Sequence, residues 1–167
     1  MDSLLPPELV EKAREVIEKN RAAGRRIAVA ESCTGGLVSA ALTEVAGSSE
    51  VFEAGYVTYS NQAKRSALRV NEDVFDTFGA VSVATAWAMA KGALEASGAD
   101  VAVAITGIAG PEGGSPAKPV GTVVFARAER DGDPDNVVAD SKLFDASGGR
   151  AGVRLQAAVC ALELLTP

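Results

Sequence analysis

RIAVAESCTGGLVSAALTEVAG, residues 26–47, decides how the rest of the chain is read. Residues 26–31 form a short apolar run of the kind buried on both faces of a sheet. A polar turn, Ser32-Cys33-Thr34, follows at once, and Gly35 and Gly36 open a stretch with helical spacing. Strand, turn and helix in immediate succession make a βα unit. A turn that merely reversed the chain would be satisfied with Gly, Asn or Pro, so the hydroxyls and the thiol call for another reason. The glycines allow the backbone to approach a ligand, and the first amides of the helix have no partner within it.

The alternation continues outward. PPELVEKAREVIEKNRAAG (6–24) places Leu9, Ala13, Val16 and Ile17 at helical spacing and closes at Gly24. VFEAGYVTYS (51–60) reads as a second strand, and NQAKRSALRV (61–70) as a short helix with Asn61 at its cap. NEDVFDTFG (71–79) is another helical piece, and a longer helix runs from Ser82 as N-cap to Gly98. ADVAVAIT (99–106) is the most hydrophobic strand. A Gly/Pro-rich loop, GIAGPEGGSPAKP (107–119), comes next, then two strands flanking the charged turn RDGDPD (130–135) and a closing helix, 148–165. The expected fold is α/β: one domain over residues 1–167, a three-layer sandwich with a mixed, mostly parallel sheet and helices on both faces.

Composition narrows the function. With 167 residues and 47% hydrophobic content, the chain can bury a core without metals or disulfides. A net charge of -6 argues against nucleic acid as a partner. No apolar run reaches the roughly 18 residues of a membrane span. The acidic, proline-broken start does not resemble a signal peptide, and Cys33 and Cys160 lie far apart, so the expected setting is cytoplasmic with reduced thiols. There are no histidines. Ser-His-Asp and Cys-His catalysis and the usual zinc sites are thereby excluded, and acid–base chemistry near neutral pH falls to a perturbed Lys, Tyr or carboxylate.

Ligands of open α/β sheets collect at the carboxyl ends of strands. Three polar clusters fall there: Ser32-Cys33-Thr34, Tyr59-Ser60-Asn61 with Lys64, and Thr106 with the loop from Gly107. Ser32 needs a base to act as a nucleophile, and Lys64 is a candidate, since a desolvated lysine can lose its proton near neutral pH. Cys33 is the rival nucleophile, or else a small buried neighbour; Cys160 reads as core. The loop fits neither a phosphate-loop nor a dinucleotide fingerprint, and could close over a polar ligand with Lys118 supplying charge. Arg150, with Arg154 as the alternative, could reach a phosphate from the start of the last helix.

Read together, AESCTGGLVSAALTEVAGSSEVFEAGYVTYSNQAK, GAVS (79–82) and AVAITGIAGPEGGSPAKPVGTVVFA resemble the CinA C-terminal domain family, the nicotinamide-nucleotide amidases. The likeness runs from about residue 5 to 165 and suggests a stand-alone form without the N-terminal domain of longer members. It implies hydrolysis of the carboxamide of nicotinamide mononucleotide (NMN) to nicotinate mononucleotide and ammonia, in pyridine-nucleotide salvage. Ser32 would be the nucleophile and Lys64 the base, with Tyr59 and Thr106 lining the site and Arg150 on the phosphate. Thr34, Gly35, Gly36, Asn61, Gly107 and Lys118 would contribute to substrate binding. The amides of the helix after Ser32, with the Thr106 hydroxyl, are expected to stabilise the oxyanion. No cofactor or metal is expected, and self-association is. The rivals are a non-catalytic nucleotide-binding or competence-associated module, and an amidase for another small carboxamide.

Overall fold

The computed structural model describes all 167 residues, Met1–Pro167. In chain order the elements are α1 (Pro7–Ala22), β1 (Ile27–Glu31), α2 (Leu37–Thr43), a 3-10 turn (Ser48–Glu50), β2 (Phe52–Val57), α3 (Asn61–Leu68), α4 (Glu72–Phe78), α5 (Val83–Ser97), β3 (Val101–Gly107), β4 (Thr122–Glu129), β5 (Val138–Leu143) and α6 (Gly149–Leu164). The strands form one sheet in the order β2-β1-β3-β4-β5. β1 runs parallel to β2 and β3, whereas β4 is antiparallel to both β3 and β5. Only β4 is therefore reversed, and the sheet is mixed and mostly parallel as expected.

The central strands alternate by size rather than polarity, because both faces are covered. Val29, Val103, Ile105, Val123 and Phe125 face a core built with α1, α2 and α6. Ala28, Ala30, Ala102, Ala104, Ala126 and Ala128 face the other way, against Ala86, Met89, Ala90 and Ala93 of α5. Alanine on both partners lets α5 lie close to the sheet, and α3 packs in turn on α5.

Caps fix the helix boundaries. The Ser82 hydroxyl accepts from the Thr85 amide, and Gly98 ends α5 in the left-handed conformation. Several elements are shorter or shifted at their ends, and two helices open differently from the sequence reading. Ser60, not Asn61, caps α3: its hydroxyl accepts from the Ala63 amide, and Asn61 is the first helical residue. The helix after Ser32 opens at Leu37, not Gly35. Gly35 (φ 58) and Gly36 (φ 100) are both left-handed and so complete the turn instead of starting α2.

Candidate active site

The carboxyl ends of β1, β2 and β3 meet at one edge of the sheet. Chain direction across the sheet reverses here: β1 is followed by β2 on one side, and the chain then returns to place β3 on the other. Such a switch point opens a crevice above the strands. Ser32 sits in it, its amide donating to the Ile105 carbonyl at 3.0 Å, while the Thr58 amide donates to the Glu31 carbonyl at 2.9 Å.

Lys64 reaches the same point from α3 and is buried, with 1% of its surface exposed. Its Nζ lies 2.8 Å from Ser32 Oγ, 2.9 Å from the Thr58 carbonyl oxygen and 3.1 Å from that of Tyr59. Burial pushes the amine down to about 8, and no carboxylate pairs with it. An uncharged amine has two N–H bonds and one lone pair. With the N–H bonds given to the two carbonyls, the lone pair is left facing Ser32 Oγ. The arrangement can take a proton from the serine. Cys33 lies beside it, but burial pushes its thiol up to about 11, so it stays protonated.

The turn between Ser32 and α2 is held from two sides. Glu31 is fully buried, and its carboxylate accepts from the Val38 and Ser39 amides at 3.0 Å each and from the Ser39 hydroxyl at 2.7 Å. The free amides at the start of α2 thus already hold an anion, the chain's own, which corrects the expectation that they face an oxyanion. On the other side Arg154 donates from Nε to the Cys33 carbonyl (3.1 Å) and from Nη2 to the Thr34 carbonyl (3.0 Å).

A cavity of about 200 Å³ opens over Ser32 and Lys64, bounded by Cys33, Ala80, Val81, Thr106, Gly107 and Ala109, with Tyr59 and Arg150 at its mouth. Arg150 spans that mouth, donating to the Gly110 carbonyl and to the Tyr59 hydroxyl, both at 2.8 Å. Larger grooves of about 750 and 680 Å³ run along the outer side of α5 around Trp87, Lys91 and Glu95. Ser82 and Lys91 both line the second, but no hydrogen bond joins them and Ser82 is engaged as the cap of α5, so the small cavity is the candidate site.

The sequence profile of the CinA C-terminal domain matches residues 10–167. The chain belongs to the CinA C-terminal domain family. This CinA domain is 52% identical over 143 residues to the nicotinamide-nucleotide amidohydrolase PncC of Enterobacter agglomerans, covering 86% of this chain and 84% of that one. It is 47% identical over 158 residues to the PncC of Escherichia coli K12, covering 95% and 93%. Among solved structures, the competence/damage inducible protein CihA from Agrobacterium tumefaciens superposes with a TM-score of 0.91 at 49% identity, over 98% of this chain and 96% of that one.

Within this CinA domain the predicted residues separate into groups. Ser32, Lys64, Tyr59, Thr106, Gly107 and Arg150 line the cavity. Thr34, Gly35, Gly36 and Asn61 do not; the first three shape the turn, and Asn61 lies exposed at the start of α3. Lys118 bends to α4, where its Nζ donates to the Phe78 carbonyl at 3.2 Å, so its charge pins the long loop instead of entering the cavity. The Thr106 hydroxyl donates to the Ala80 carbonyl at 2.9 Å, so its proton is already engaged. The sequence reading missed the apolar wall of Ala80, Val81 and Ala109, and the buried Glu31. Only Glu31 left a signal: a charge at the end of a strand covered on both faces needs partners.

Proposed function

We propose that this chain hydrolyses the carboxamide of nicotinamide mononucleotide, giving nicotinate mononucleotide and ammonia. The observation that carries the reading is the buried contact of 2.8 Å between Lys64 Nζ and Ser32 Oγ, in a chain without histidine. The names of the relatives supply the substrate class. The cavity, at about 200 Å³, is smaller than the roughly 300 Å³ and more of sites that enclose a whole ligand. It suits a pyridine carboxamide, leaving ribose and phosphate at the mouth, where Arg150 can turn from Tyr59 to the phosphate.

Ser32 Oγ attacks the amide carbon as its proton passes to Lys64 Nζ. The resulting ammonium protonates the departing nitrogen, ammonia leaves, and the acyl group remains on Ser32. Water then attacks the ester by the reverse relay, Lys64 again taking and returning the proton. The Thr58 and Tyr59 carbonyls hold Nζ in place throughout and favour the ammonium whenever it forms.

Purified protein incubated with NMN in excess EDTA is expected to release ammonia. Ser32→Ala and Lys64→Ala should each lose at least about 1,000-fold in kcat. Full activity in Ser32→Ala would overturn the reading, and NMN binding by calorimetry without ammonia release would favour a non-catalytic module.

A further inference from the structure

An acyl-transfer site needs donors for the oxyanion, and the obvious ones here are already engaged. The Ser32 amide donates to Ile105, the Val38 and Ser39 amides donate to Glu31, and the Thr106 hydroxyl donates to Ala80. Within the turn, the Gly35 amide donates to the Ser32 carbonyl at 3.0 Å and the Leu37 amide to the Thr34 carbonyl at 3.1 Å. The Cys33, Thr34 and Gly36 amides have no acceptor within the protein, and of these three residues only Cys33, next to the nucleophile, lines the cavity.

Arg154 determines how the peptides of this turn face. In a trans peptide the carbonyl of one residue and the amide of the next are directed oppositely. By gripping the Cys33 carbonyl with Nε, Arg154 turns the Thr34 N–H away from itself. By gripping the Thr34 carbonyl with Nη2, it fixes the adjoining peptide, whose N–H is the one bonded to Ser32. Two parallel donations from a planar guanidinium hold both peptides against rotation, which a single ammonium cannot do. Gly35 lets the turn adopt this shape: its backbone lies at φ +58, where a side chain would be strained, although a Cβ would meet Arg154 Nη2 only at an ordinary contact of 3.4 Å.

We infer that Arg154 is a positioning residue, which locks the Cys33–Thr34 and Thr34–Gly35 peptides and, through the Gly35 amide on the Ser32 carbonyl, holds the Ser32–Cys33 peptide so that the Cys33 amide serves as an oxyanion donor for acyl transfer at Ser32. Arg154 touches no substrate and carries no proton in the reaction. This assignment rests on Ser32 being the acylated residue, as proposed above. It separates the two arginines at the start of α6: Arg150 faces the mouth, and Arg154 serves the turn.

The test compares Arg154→Ala, Arg154→Lys and Arg150→Ala with the wild type, using NMN and a serine-directed fluorophosphonate. Phosphonylation amplitude counts folded, reactive sites, so kcat is expressed per reactive serine and partial unfolding drops out. For Arg154→Ala the expected result is a roughly 10- to 100-fold loss of kcat. KM should stay within about twofold and the pH midpoint should be unchanged, because Lys64 is untouched. Phosphonylation should slow in parallel, since the developing P–O⁻ needs the same amide, and Arg154→Lys should fall between Ala and wild type. Arg150→Ala should instead raise KM. Wild-type kcat per reactive serine in Arg154→Ala, or a rise in KM with kcat intact, would overturn the assignment. Absence of ammonia release by the wild type would refute the substrate instead, and the phosphonylation rates would still decide the role of Arg154.

Discussion

At pH 7 only about one Lys64 in ten is neutral, because burial places its titration near pH 8. A base acts only when unprotonated, so kcat/KM should rise about tenfold per pH unit below 8 and level off above it. A profile without an acid limb near that value would remove Lys64 from the role of base. The same burial has a sign for stability. An unfolded lysine titrates near 10.4, so the folded chain binds fewer protons between pH 8 and that value, and stability rises with pH across the window. Below pH 8 the full cost of holding the ammonium, about 3 kcal/mol, is present. The wild type should therefore gain on Lys64→Met, in urea unfolding, on going from pH 7.5 to 10. Taking the difference between the two proteins cancels Cys33, whose raised value acts in the opposite direction above pH 9. Cys33 itself is expected to be dispensable: Cys33→Ala should keep kcat within about threefold, as befits a packed residue.

Among the elements, α3 matters most because it carries the base. It is seated on α5 at Gly92, where any side chain would drive a Cβ into the Leu68 carbonyl at the end of α3. Gly92→Ala is expected to cost about 1–3 kcal/mol in urea unfolding. It should also lower kcat per reactive serine, since a shifted α3 moves Lys64 from Ser32. Unchanged stability would mean that α3 and α5 can separate freely. β2 shows the same economy: a Cβ on Gly55 would meet the Ser39 hydroxyl that donates to Glu31. Both glycines sit inside regular elements and look like plain weak points in the sequence. Only the neighbouring helix reveals what each one admits.

Across the whole molecule, the cavity joins both helical layers. Lys64 comes from the side of α3 and α5, whereas Arg150 comes from α6 on the opposite face, and Tyr59 and Gly110 lie between them. Arg150→Ala should raise KM for NMN about 10-fold or more while leaving kcat within about threefold, and it should change KM little for the dephosphorylated nucleoside. Equal effects on both substrates would place the phosphate elsewhere.

Patterns along the chain settled the fold. Short apolar strands alternating with capped helices, and a charged turn between two strands near the end, admit little but a mixed α/β sheet, because period and cap chemistry are local. The lack of histidine, and a serine and a lysine beyond successive strands, were equally legible. Burial was not. Lys64 looks like any surface lysine until α3 folds it under Thr58 and Tyr59, and that desolvation alone lowers its pKa. Nor does sequence reveal which donors are already taken: Glu31 capping α2, Thr106 bound to Ala80 and Arg154 gripping the turn depend on residues distant along the chain or on side-chain direction. The local code determined which groups reach the sheet edge. The tertiary structure decided which of them remain free to act, because hydrogen bonding and solvent exclusion are settled only when the layers close.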